Sequence, residues 1–173
     1  GTAAWTLIEL LRRPDYLAEV VEELEALTAE DPELTYQALR EMPKLEAAIK
    51  EALRLHPPLI ILLRVAKTPV DVGGYQIPVG TMVAASPEAF DPARYLDGRE
   101  DDVGNPWSWI PFGAGRHRCV GAAFAMMQLK AIFSVLLQRY EFDLTQPHDT
   151  YRNDHSKMVV QLAQPCGARM TPR

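Results

Sequence analysis

Apolar residues recur at helical spacing through the first third of the chain. Leu7, Ile8, Leu10 and Leu11 form one stripe, which stops at Arg12-Arg13-Pro14. Leu17, Val20, Val21, Leu24 and Leu27 form the next, with acidic residues outside and early in the run, so the pattern predicts a helix over Asp15 to Leu27. After the polar loop TAEDPE, Thr35 is the expected N-cap of a helix over Tyr36 to Met42. Pro43 suits the first turn of a longer one, from Lys44 to about Leu55, which His56-Pro57-Pro58 ends. From Leu59 the period shortens. LIILLRVA, PVDV, YQIPVG and TMVAAS are rich in Val and Ile and punctuated by glycine and proline, and they predict strands and hairpins.

Glu88 to Ile110 has no sustained period and is expected to be irregular, packed through Phe90, Tyr95, Trp107 and Trp109. Cys119 to Tyr140 is apolar on more than one face, which predicts a helix buried on both sides at the centre of the core. Met158 to Leu162 reads as a final strand. No internal repeat and no low-complexity segment interrupts this order.

Composition narrows the class. With 173 residues, of which 47% are hydrophobic and 24% charged, the chain has the length of one globular domain. It lacks the roughly 18 consecutive apolar residues of a membrane-spanning helix. The formal charge of -5 argues against a general nucleic-acid binder. Gly1-Thr2-Ala3-Ala4-Trp5 has no basic region or cleavage site like those of a signal peptide, and the chain is expected to start inside a longer one. Its two cysteines, Cys119 and Cys166, are too few for a disulfide scaffold and are expected to be reduced thiols.

The chemistry concentrates in WIPFGAGRHRCVGAAFA, Trp109 to Ala125. A phosphatase loop would need an Arg six residues after its cysteine, where Ala125 stands. A zinc site would need further paired ligands beyond His117 and Cys119. A dinucleotide fingerprint would need a third glycine where Arg118 stands. What remains is a single thiolate ligand to haem iron. Cys119 lies just before a helix, whose free N–H groups and dipole favour a thiolate. Gly113 and Gly115 permit positive φ, Gly121 removes a side chain where a macrocycle would approach, and Phe112 can shield the sulfur.

Phe112 to Gly121 matches the FxxGxxxCxG loop, and the chain thereby resembles the cytochrome P-450 family. Glu51-Ala52-Leu53-Arg54 is similar to the family's ExxR, and Arg94 of Asp91-Pro92-Ala93-Arg94-Tyr95 to the arginine that joins it in a buried triad. LRLHPPLIILLRVAK and YRNDHSKMVVQLAQP extend the resemblance over nearly the whole chain, towards the bacterial soluble sterol 14-alpha-demethylases within the family.

The resemblance implies a mainly α fold with small β-sheets (α+β), with residues 1–173 forming the C-terminal, haem-binding portion of a single cytochrome P-450 domain. It implies haem b ligated through its iron by Cys119, with Arg64 and His117 at the propionates and Phe112, Gly113 and Gly121 lining the loop. It assigns the triad to Glu51, Arg54 and Arg94. It places Leu59, Ile60, Ile61, Leu63 and Met158 in the substrate cavity, though apolar strand residues are as often ordinary core. The implied activity is oxidative 14-alpha-demethylation of a sterol or other apolar small molecule, using O2 and electrons from NADPH through a ferredoxin or reductase, in a cytoplasmic setting.

Two departures accompany it. The family's oxygen-activating Thr is expected to precede Gly1, so no catalytic residue is assigned within the chain. The stretch at Pro87-Glu88 is shorter than in the family, leaving Arg94 fewer residues with which to reach Glu51. Two rivals stand beside this reading: a truncated, non-catalytic haem-binding remnant, and a helical adaptor in which Cys119 has no role.

Overall fold

A computed structural model describes residues 1–30, 34–59, 64–83, 90–105 and 109–173. Helices dominate: α1 (Thr2–Leu11), α2 (Pro14–Glu30), α3 (Tyr36–Arg40), α4 (Pro43–Leu55), α5 (Asp101–Gly104) and α6 (Ala122–Arg139). The strands are short and pair antiparallel in twos. β1 (Arg64–Val65) pairs with β4 (Met82–Val83), and β2 (Val70–Val72) with β3 (Tyr75–Ile77). β5 (Tyr140–Leu144) pairs with β8 (Ala168–Pro172), and β6 (Asn153–Asp154) with β7 (Gln161–Leu162).

The core forms where the apolar stripes of α1, α2 and α4 meet one face of α6. Leu10, Val20, Leu24, Met42, Leu45, Ile49, Leu53, Phe133 and Leu137 are buried together there. Thr35 Oγ1 accepts the N–H of Ala38 and caps α3, as its position before an apolar run requires. Pro43 opens α4, whose next two N–H groups, from Lys44 and Leu45, donate to the Glu23 carboxylate at 2.8 and 3.0 Å. A helix start is thus closed by a side chain from a different helix.

A second cluster buries Trp5, Ile8, Tyr151 and Leu162. The His56 ring stacks on Trp5 at 3.6 Å, and its Nε2 lies 3.2 Å from Glu9 Oε1. Glu9 also accepts from Arg12 and Arg13, each at 2.7 Å, so the carboxylate that meets His56 at the end of α4 is itself held at the end of α1.

Two expectations are corrected. α6 is not buried on both sides: only Lys130, Phe133, Ser134 and Leu137 are buried, while Phe124, Ile132 and Val135 are exposed. The physical reason is that the core elements pack on one face only. The last strand is not Met158 to Leu162, of which only Gln161–Leu162 is a strand; β8 follows it and pairs with β5 from Tyr140 opposite Pro172 to Leu144 opposite Ala168. Trp107 and the join at Pro87-Glu88 lie outside the described residues.

Candidate functional site

The loop before α6 is built by two glycines and one backbone closure. Gly113 and Gly115 take φ of +76° and +68°, a region that side-chain-bearing residues rarely enter. At Gly113 an added Cβ would make only an ordinary contact, 3.5 Å from the His117 carbonyl, so the positive φ is what favours glycine there. The loop then turns back so that the Cys119 N–H donates to the Phe112 carbonyl at 2.8 Å.

Cys119 is an exposed free thiol two residues before Gly121, the N-cap of α6. Gly121 has φ of -86°, so backbone strain does not demand glycine there; a Cβ would meet Cys119 Sγ at 3.8 Å. Gly121 therefore keeps the ground beside the sulfur open. Val120, next in the chain, and Phe124, in the first turn of α6, are exposed apolar side chains. Arg116 and His117 occupy the short 3-10 turn Gly115–His117, and both are exposed, as is Arg118.

Phe112 faces away from solvent in part. Its ring meets Trp109 edge-on at 5.9 Å, and both pack against the main core. Beneath the loop is an open cleft of about 470 Å³, lined by Lys50, Asp102, Trp109, Phe112 and Arg118 among others.

Glu51, completely buried on α4, organises the neighbouring segment. Arg54 binds it through two donors at 2.8 Å each, the planar bidentate geometry of a guanidinium on a carboxylate. The Asp91 N–H donates at 2.6 Å, the Tyr95 hydroxyl at 3.1 Å and Arg94 Nε at 3.4 Å. Arg94 therefore lies within reach of Glu51. The hydrogen bond to Glu51 is the main cause that holds Arg54 above its ordinary pKa. Burial, followed by the Glu51 charge, pushes the Tyr95 phenol up, so the hydroxyl remains a donor at neutral pH.

The sequence-selected residues thus fall into separate groups. Phe112, Gly113, His117, Cys119 and Gly121 share the loop; Glu51, Arg54 and Arg94 share the buried network. Leu59 and Met158 are exposed, and their segments are joined by the Val160 N–H donating to the Pro58 carbonyl at 2.8 Å. Ile60, Ile61 and Leu63 lie outside the described residues, and only the backbone of Arg64, in β1, is described. Sequence reasoning missed Tyr95 and the Asp91 N–H as partners of Glu51. The PARY segment signalled its arginine, whereas a backbone donor leaves no mark in sequence.

The sequence profile of the cytochrome P450 family matches residues 1–169. The chain belongs to the cytochrome P450 family. Among its relatives is a sterol 14alpha-demethylase of Mycolicibacterium vanbaalenii, 56% identical over 186 residues, which covers all of this chain and 41% of the relative. An obtusifoliol 14-alpha demethylase of Triticum aestivum is 41% identical over 93% of the chain and 40% of its own length. A lanosterol 14-alpha demethylase of Mus musculus is 41% identical over 83% of the chain and 31% of its own length. The chain therefore spans less than half the length of these cytochrome P450 relatives. The 186-residue match is longer than the chain's 173 residues, so that relative carries residues within the match that this chain lacks. Among the described residues, no helix of this cytochrome P450 chain is long and apolar enough to cross a membrane.

Proposed function

We propose that this chain is the haem-ligating portion of a cytochrome P450 monooxygenase that removes the 14-alpha methyl group of a sterol. The observation that carries the reading is Cys119: an exposed thiol, on a glycine-shaped loop, beside open apolar ground at the start of an 18-residue helix. A soft sulfur donor, with exposed apolar Val120 and Phe124 following it in the chain, suits a flat, apolar, iron-bearing group. The fit is one of donor chemistry and surface.

In this reading the Cys119 thiolate would bind the iron, His117 and Arg64 would hold the propionates, and Phe112, Gly113 and Gly121 would border the haem. Haem held there would supply one-electron and oxygen chemistry, with the Cys119 thiolate as an electron-rich donor to its iron. The chain's own work is to prepare that ligand. Gly121 gives α6 no side-chain cap, so its first-turn N–H groups and dipole stabilise negative charge at the neighbouring sulfur. Arg116 and Arg118 add positive charge along the same loop, with His117 between them. Glu51, Arg54 and Arg94 hold the irregular segment against which the loop rests. Leu59, Ile60, Ile61, Leu63 and Met158 supply apolar contact to the sterol, and a ferredoxin or reductase passes on electrons from NADPH in a cytoplasmic setting.

The rival reading is the haem-binding remnant without turnover. Haem titration of the 173-residue chain, followed by addition of a 14-methylated sterol, separates the two. Saturable uptake that Cys119→Ser weakens, with a spin-state shift on sterol addition, supports the monooxygenase reading. Uptake without any sterol response favours the remnant, and no uptake contradicts both.

A further inference from the structure

Lys50 immediately precedes Glu51 on α4, and its partner at i-4 is Glu46, so by sequence it is an ordinary helix-surface cation. Its surroundings are different. The side chain is 18% exposed, and Nζ lies 2.8 Å from Asp102 Oδ2 on α5. The same ammonium stands 5.4 Å from the centre of the Tyr95 ring and 5.8 Å from that of Trp109. Both distances fall within the roughly 6 Å over which a ring face attracts a cation, and the attraction grows where water is excluded.

The backbone of Lys50 acts on one of the same rings. Its carbonyl accepts the Trp109 indole N–H at 2.8 Å. Trp109 also meets Tyr95 edge-on at 6.4 Å and Phe112 at 5.9 Å. Tyr95 is tied to the buried Glu51 through its hydroxyl, and the Phe112 carbonyl closes the turn onto the Cys119 N–H. Named contacts therefore run without a break from the buried carboxylate to the cysteine. A cleft of about 470 Å³ is lined by Lys50 and Asp102 together with the loop residues Trp109, Phe112 and Arg118.

We propose that Lys50 is a positioning residue for the Cys119 loop, its ammonium set against Tyr95 and Trp109 and its carbonyl fixing the indole that supports Phe112. Lys50 thus adds a cation and aromatic support to the triad of Glu51, Arg54 and Arg94. The meaning of that positioning for iron ligation rests on the proposed function, whereas the effect on the loop does not.

Amide hydrogen exchange of the 173-residue chain tests this at the Cys119 N–H. Lys50→Met, which keeps the stem and removes the charge, is expected to speed exchange at Cys119 by about five- to tenfold, while Leu24 and Leu137 in the core stay within about twofold. Lys50→Arg is expected to restore slow exchange, because a guanidinium can also pair with Asp102 and lie on aromatic faces. Unchanged exchange at Cys119 in Lys50→Met would overturn the proposal, as would equal acceleration at all three amides. Should Lys50→Met fail to fold, Trp109→Phe, which removes the indole donor, carries the test: loop-specific acceleration supports the proposal and an unchanged rate ends it. Failure of the wild-type chain to take up haem would contradict the proposed function and leave the exchange result standing.

Discussion

Glu51 has no contact with solvent, and its two oxygens are occupied by donors from Arg54, Asp91, Arg94 and Tyr95. Such a carboxylate is stable in the interior only while those donors remain. Removing it by Glu51→Ala takes away the carboxylate that Arg54, the Tyr95 hydroxyl and the Asp91 N–H share. The expected cost is about 3–5 kcal/mol, read as a lower urea midpoint with an unchanged slope; a loss below about 1 kcal/mol would show that the network is incidental. Glu9 gives a pH effect of defined sign. Burial pushes its carboxyl up, but the His56 hydrogen bond, with Arg12 and Arg13, outweighs burial and leaves it below its ordinary value of 4.5. A carboxyl lowered on folding contributes stability that is complete above its unfolded value and is lost as pH falls through the folded one. Urea midpoints should therefore fall on acidification below about 4.5, and Glu9→Gln should remove that part of the dependence; parallel profiles would contradict it. At this scale the sequence made ExxR and Arg94 visible because they form a pattern. It hid Lys50, whose spacing from Glu46 is that of any exposed helix pair.

The helices were legible because α1, α2 and α4 each carry an apolar stripe that reaches the core, and periodicity reports that stripe, though not the burial of Trp5 in a second cluster or of Glu51 on α4. α6 was harder to read. Its apolar residues cover more than one face, yet Phe124, Ile132 and Val135 are exposed while Phe133 and Leu137 are buried. Periodicity shows which faces are apolar, but it does not show how many neighbours are present to cover them. β8 escaped notice for a related reason: ARMTP is exposed along its whole length, so no alternation marks it, and its place is set by pairing with β5. The start of α4 was also only half visible. Pro43 announced it, but its closing acceptor, Glu23, lies some twenty residues back on α2. Glu23→Ala should leave the Lys44 and Leu45 N–H groups without that acceptor and cost about 1–2 kcal/mol. Urea unfolding checks this, and a loss under a few tenths of a kcal/mol would assign the capping to solvent.

The whole molecule combines a packed helical core with apolar ground that it does not cover. Val120 and Phe124 beside Cys119, together with Leu59 and Met158, are exposed in a chain spanning 41% of the M. vanbaalenii relative. Under the proposed function, a flat cofactor at Cys119 would cover part of that surface at the start of α6. Every part of the functional account then converges on one bond, from Cys119 Sγ to iron. Carbon monoxide added to the reduced, haem-loaded chain reports that bond directly. The account predicts a Soret band at the position of thiolate-ligated haem that disappears in Cys119→Ser and persists in Cys166→Ser. A band at the position of histidine-ligated haem, or the same thiolate band in both variants, would contradict it.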